Sequence, residues 1–200
     1  MANKDAAFGM KPVKMIGGAP YTGGTSRYRI AANYDTAIFQ GDMVAQVTGG
    51  TVEVHADGGT VPIVGVFNGC EYTDPTTGEQ KYSNYYPAST NASDIIAFII
   101  DDPNVVFEIQ ADSAFPIADL FGNFDIVYTS SGSTVTGISG AELKVADGAT
   151  GTSLSIKAID ISEDPENDDV SSANTNVYVV IQNHIFGVKG AGLALSLIHI

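Results

Sequence analysis

The chain has 200 residues, of which 44% are apolar and only 16% charged, with 22 glycines; that is enough apolar length to bury one core or two small ones. Nine Lys and Arg stand against 23 Asp and Glu, a net charge of −14, which repels a phosphate backbone and argues against nucleic acid as a partner. No apolar run approaches the roughly 20 residues of a membrane span, the first ten residues hold no signal-peptide core, and the single cysteine, Cys70, cannot form an internal disulfide, so synthesis in a cytoplasm, with no membrane partner, is the expectation.

Residues 1–25 are rich in Gly, Pro, Lys and Ala, show neither strand alternation nor helical period, and read as a flexible, extended N-terminal arm. The arm is locally basic. Lys4, Lys11 and Lys14 precede Arg27 and Arg29, so five of the nine basic residues fall in the first 29 positions, as in a segment that lies on a partner surface. From residue 26 to 190 the chain reads as β-rich. Residues 26–31 alternate, and 41–47 and 51–55 flank Gly49 and Gly50 as a hairpin. Residues 63–72 form a longer strand in which Gly65 and Gly69 mark bulges or close backbone approaches. A Pro75-to-Gly78 turn leads into residues 81–86. Residues 95–100 and 105–110 are apolar runs of buried-strand length, separated by an Asp101-Asp102-Pro103 turn. Residues 115–122, with proline near the start and glycine at the end, predict one short helix. Strands resume at 124–128, 141–145, 154–161 and 177–182. The fold expected is all-β: a β-barrel or β-sandwich of about ten strands, one short helix and an extended arm, with a division into two sub-domains near Asp112 left open.

Chemistry-bearing motifs give way to plainer readings. Residues 18–25 nearly spell a phosphate-binding loop, but Gly24 stands where a lysine must reach the phosphates and a strand follows. His55, His184 and His199 lie far apart without the companions of a zinc site, and read as strand or surface residues. No nucleophile elbow or Ser/His/Asp set is evident, so no catalytic residue, cofactor or metal is assigned and the chain is read as a non-enzyme. Residues 163–169 hold five carboxylates without the spacing or central glycine of a calcium loop, and read as a solvated loop. Asp101 and Asp102 suit a turn better than an acid/base pair. Cys70 reads as a small core residue, because a nucleophilic thiol needs a neighbouring base. Tyr72, Tyr82, Tyr85 and Tyr86 offer either a sugar-stacking platform or, more simply, half-buried hairpin packing.

Three stretches carry a resemblance: Phe8 to Val13 followed by a Gly-rich run and residues 27–31; residues 65–75 running on to 83–88; and residues 102–110. In these, across roughly its first 130 residues, the chain resembles small decoration or cement proteins of tailed-phage capsids, with weaker similarity from Val177 to Phe186. Such signatures identify kin rather than mechanism. The resemblance implies a β-rich structural virion protein, often a homotrimer, bound to the major capsid protein on the outer capsid surface and made in the host cytoplasm. Phe8, Lys11, Pro12, Val13, Lys14 and Met15, the apolar anchors and cations of the arm, are the candidate capsid contacts. On this reading, deleting residues 2–24 leaves the β-domain folded. The alternative is a carbohydrate-binding or host-adhesion module that uses the Tyr72–Tyr86 region. Residues 191–200 depart from the family pattern, and 195–200 resemble translated adapter sequence, so this tail, His199 included, is expected to be non-native.

Overall fold

A computed structural model describes residues 3–58, 60–149 and 154–187. It is all-β, with fourteen strands in antiparallel sheets and no α-helix among the described residues. The sheets stay open, so the architecture is a sandwich and not a barrel. The first sheet runs β1 (Lys11–Met15), β10 (Val105–Gln110), β14 (Asn176–Ile181), β13 (Ile156–Ile161), β11 (Asn123–Ser130) and β12 (Gly140–Ala149). The second runs β2 (Ser26–Arg29), β9 (Ile96–Ile100), β6 (Ile63–Thr73), β4 (Met43–Val47) and β5 (Thr51–Val54), with β7 (Gln80–Ser83) paired to the far half of β6. A two-stranded ladder joins β3 (Ile38–Phe39) to β8 (Tyr85–Tyr86).

Strand alternation explains why the second sheet carries two cores. Successive side chains point to opposite faces, and a register shift at Val64 against β4 resets the alternation, so Met43, Ile63, Val66 and Ile100 join Phe107, Ile109, Val179 and Leu143 of the first sheet in one cluster. Their neighbours Val44, Val64, Phe67 and Ile99 face the other way, packing with Ile38, Cys70 and Tyr86 in a second cluster. Each such fully buried side chain stabilises the fold by roughly 1.5–3 kcal/mol. A bulge between Phe67 and Gly69 absorbs Asn68 and returns Cys70 and Tyr72 to the Phe67 side. Gly65 lets β6 and β9 approach closely, since a Cβ there would lie 2.1 Å from the Ile100 carbonyl oxygen. The sheets are also joined by polar contacts: His55 Nε2 lies 3.2 Å from Ser155 Oγ, and Ser155 Oγ donates to Asp125 Oδ1 at 2.8 Å.

Three expectations need correction. Residues 11–15 of the arm are not an appendage but the edge strand β1, paired with β10 from Lys11 opposite Glu108 to Met15 opposite Val105. An edge accepts Pro12, which has no ladder N–H to donate. Upstream, Asn3 Nδ2 donates to the Asp169 and Ala173 carbonyls, Gln110 Nε2 donates to the Lys4 carbonyl, and Met10 is 2% exposed in the inter-sheet core. The short helix is a three-residue 3-10 turn, Ile117–Asp119, with no buried residue, because two turns without an apolar stripe cannot offset helix nucleation. The eleven separate runs expected become fourteen strands through β1, β3 and the division of 81–86 into β7 and β8. The first sheet combines β1 from the N-terminal segment with strands from Val105 onward, and the first core cluster draws on both sheets. Residues 188–200, with the tail expected to be non-native, lie outside the described residues.

Candidate functional site

A short loop between β3 and β4 joins three parts of the chain. The Gly41 carbonyl accepts the Met10 N–H at 2.9 Å, and Gly41 N–H donates to the Phe67 carbonyl at 2.9 Å. The Ser139 N–H donates to the Gln40 carbonyl at 2.9 Å. Gly41 has φ +97°, and a Cβ there would lie 2.9 Å from the Phe8 carbonyl oxygen, so only glycine lets the N-terminal segment lie this close. Beneath the loop, the buried Asp42 carboxylate accepts the Phe39 N–H at 2.7 Å and the Ser139 hydroxyl. Burial raises its pKa from 3.8 to about 6, partly offset by those two hydrogen bonds.

This wiring leaves an open apolar cleft of about 190 Å³, lined among others by Phe8, Lys11, Pro12, Phe67, Asn68 and Ile138. It brings together half of the six expected contact residues. Phe8, Lys11 and Pro12 line it; Val13, at the β1 bulge, is 37% exposed but outside the lining. Lys14 turns away, its Nζ 5.0 Å from the centre of the Tyr178 ring, and Met15 packs against the inter-sheet core. The basic surplus of the segment is largely matched within the chain. Lys11 Nζ lies 3.5 Å from Glu108 Oε2, Lys4 Nζ 4.0 Å from Glu166 Oε2, and Arg27 pairs with Glu71. Sequence reasoning missed Gln40, Asn68 and Ile138; none carries a local signal, since each reaches the cleft only through the tertiary fold.

The remaining candidates fall mostly into structural roles. Tyr86 is fully buried and donates its hydroxyl to the Tyr34 carbonyl at 3.0 Å. Tyr72 is buried, Tyr85 stacks on Phe39 with ring centres 5.7 Å apart, and only Tyr82 is open, at 70% exposure, so the four tyrosines form no single platform. Cys70 is buried as expected, and burial pushes its thiol up to about 12. His55 and His184 are both buried rather than on the surface, and burial lowers the His184 pKa. Asp102 Oδ1 accepts the Asn104 N–H at 2.8 Å, as its turn requires. In the acidic loop, Asp164 and Asp169 cap their own turns through the Glu166 and Ser171 N–H groups. Among the described residues no group of three or more His, Cys, Asp or Glu is placed to hold a metal, and no helix is long and apolar enough to cross a membrane.

Comparison of the chain with protein-family models, with curated proteins and with solved structures returns no match.

Proposed function

We propose that the chain is a structural virion protein that binds the major capsid protein on the outer surface of a phage capsid, through the cleft and the exposed side of β1. The observation that carries this reading is convergence. Parts of the first two stretches in which the sequence resembles decoration proteins, separated by tens of residues, meet at one place in the fold. Phe8 to Pro12 form one wall of the cleft and Val66 to Asn68 another, while residues 105–110 are the strand on which β1 lies. An open apolar notch walled by both segments suits an interface whose centre is apolar.

Co-sedimentation with empty capsid shells tests this. Ile138→Asp and Val13→Asp each place a charge on an exposed position, 40% and 37% exposed respectively, where stability changes stay within about 0.5 kcal/mol. Both variants are expected to melt like the parent and to lose co-sedimentation. Undiminished binding of both would remove the cleft from the contact, and a parent protein that leaves the shells in the supernatant would remove the function. Homotrimerisation belongs to the same proposal, and a single monomeric species in sedimentation at tens of micromolar would exclude it.

A further inference from the structure

A second cleft, on another part of the molecule, combines the side chains of a sugar site with one unmatched charge. It encloses about 330 Å³ where β9 begins, and is lined among others by Arg27, Arg29, Glu71, Gln80, Ser93 and Asp94. Arg27 and Arg29 are alternate residues of β2 and share a face, as the period of a strand requires. Their situations differ. Arg27 pairs with the buried Glu71 and lies 5.6 Å from the centre of the Phe98 ring. Arg29 has neither. Of the eight basic side chains among the described residues, the other seven have a carboxylate, a carbonyl or an aromatic ring as partner. A guanidinium left without a partner in the chain has its fork of donors free for an external carboxylate, an attraction that acts locally against the net charge of −14.

The surroundings restrict what that anion is. Glu71 and Asp94 share the lining, so a dianion such as phosphate meets about twice the repulsion that a single carboxylate does. Asp94 is held by the Thr73 N–H and hydroxyl, the latter at 2.6 Å, and keeps acceptor capacity for hydroxyl donors. Gln80 and Ser93 add exposed amide and hydroxyl groups. Tyr82, 70% exposed, lies directly across the ladder from Glu71 and so stands on the same face of the sheet, where its ring offers a stacking surface. The volume matches one sugar ring, at the low end for small-molecule sites.

We propose that this cleft binds an acidic hexose, with Arg29 engaging the carboxylate, Asp94, Gln80 and Ser93 the hydroxyls, and Tyr82 one face of the ring. The proposal is independent of capsid binding, which uses the other cleft. Glucuronic acid and glucose differ only at C6, as carboxylate or hydroxymethyl, and glycerate offers one carboxylate and hydroxyls without a ring. In a titration of the isotope-labelled full chain, glucuronic acid is expected to bind in the millimolar range and to shift the amide signals of Arg29, Gln80, Ser93 and Tyr82. Glucose is expected to bind at least about tenfold more weakly, and Arg29→Gln to lose a similar factor for glucuronic acid with unchanged melting. Tyr82→Ala is expected to weaken glucuronic acid binding too. Equal binding of glucose would overturn the role of Arg29, equal binding of glycerate would overturn the sugar assignment, and the absence of shifts at those four amides would overturn the site.

Discussion

Both clefts draw on the first 29 residues, yet they have opposite characters. Beside β1 the cations are matched: Lys11 by Glu108, Lys4 by Glu166 and Lys14 by the Tyr178 ring, so what remains open is apolar, with Val13 and Ile16 exposed. Beside β2, Arg27 is matched by Glu71 and Arg29 is not, so what remains open is a charge. A local surplus of basic residues therefore says little about the surface field until the pairing is known. Five cations in one stretch leave one unmatched site, and it is not the site that the composition suggests.

The largest effect expected from breaking this contrast comes from removing the β1 side altogether. Deleting residues 2–16 takes away the β1 ladder and leaves a hole where Met10 lay; loss of a buried methionine side chain alone costs about 2–5 kcal/mol. Urea unfolding is expected to show a loss of several kcal/mol or no cooperative transition. A truncated chain with an unchanged midpoint would return these residues to the status of a flexible tail.

A smaller effect comes from the carboxyl under the first cleft. The folded pKa of Asp42 is raised from 3.8 to about 6, so the folded state binds the proton more tightly than the unfolded chain does. Its contribution is fully present below about pH 4 and is lost as pH rises through about 6, a range corresponding to roughly 3 kcal/mol at most. His184, with its pKa lowered by burial, acts in the opposite sense, losing stability as pH falls through its unfolded value. The two are separated by comparing the parent with Asp42→Asn at each pH. The difference in unfolding free energy is expected to shift against the parent between pH 4 and 6 and to level off above. A difference that stays flat across that window would mean that the Asp42 carboxyl is not held in the way its burial implies.

Most of the fold was legible in the sequence because most strands alternate between two apolar faces or are apolar throughout. Residues 63–72 and 105–110 show this, and all eleven expected runs form strands. The misses have specific causes. β1 was hidden because Pro12 and two lysines dilute its apolar signal, and an edge strand needs only one face against the protein. Residues 115–122 carry helix punctuation, but Phe115 is spent in the inter-sheet core, which leaves too short a run to sustain a helix. Of the first cleft, Phe8, Lys11 and Pro12 were legible as apolar anchors and a cation of the N-terminal segment; Gln40, Asn68 and Ile138 arrive from three separate loops and bulges. Arg29 was visible as a charge, but its lack of a partner is a property of the folded pairing alone.

The smallest effect expected is also the one that most sharpens the contrast between the clefts. Lys11 is mostly exposed where it meets Glu108, and pairs of this kind contribute about 0–1 kcal/mol, so Lys11→Gln is expected to change stability by no more than that. Because the lysines of the β1 side already have partners, the capsid contact proposed for that cleft would depend on apolar burial rather than on free charge. Apolar contact is insensitive to simple salt, whereas an exposed charge is screened within about 10 Å at 0.1 M ionic strength. Raising sodium chloride is therefore expected to leave capsid co-sedimentation nearly unchanged, for the parent and for Lys11→Gln alike, while weakening glucuronic acid binding at Arg29 several-fold. Should salt release the protein from capsids while leaving the sugar in place, the assignment of an apolar contact to β1 and a charged one to β2 would have to be reversed.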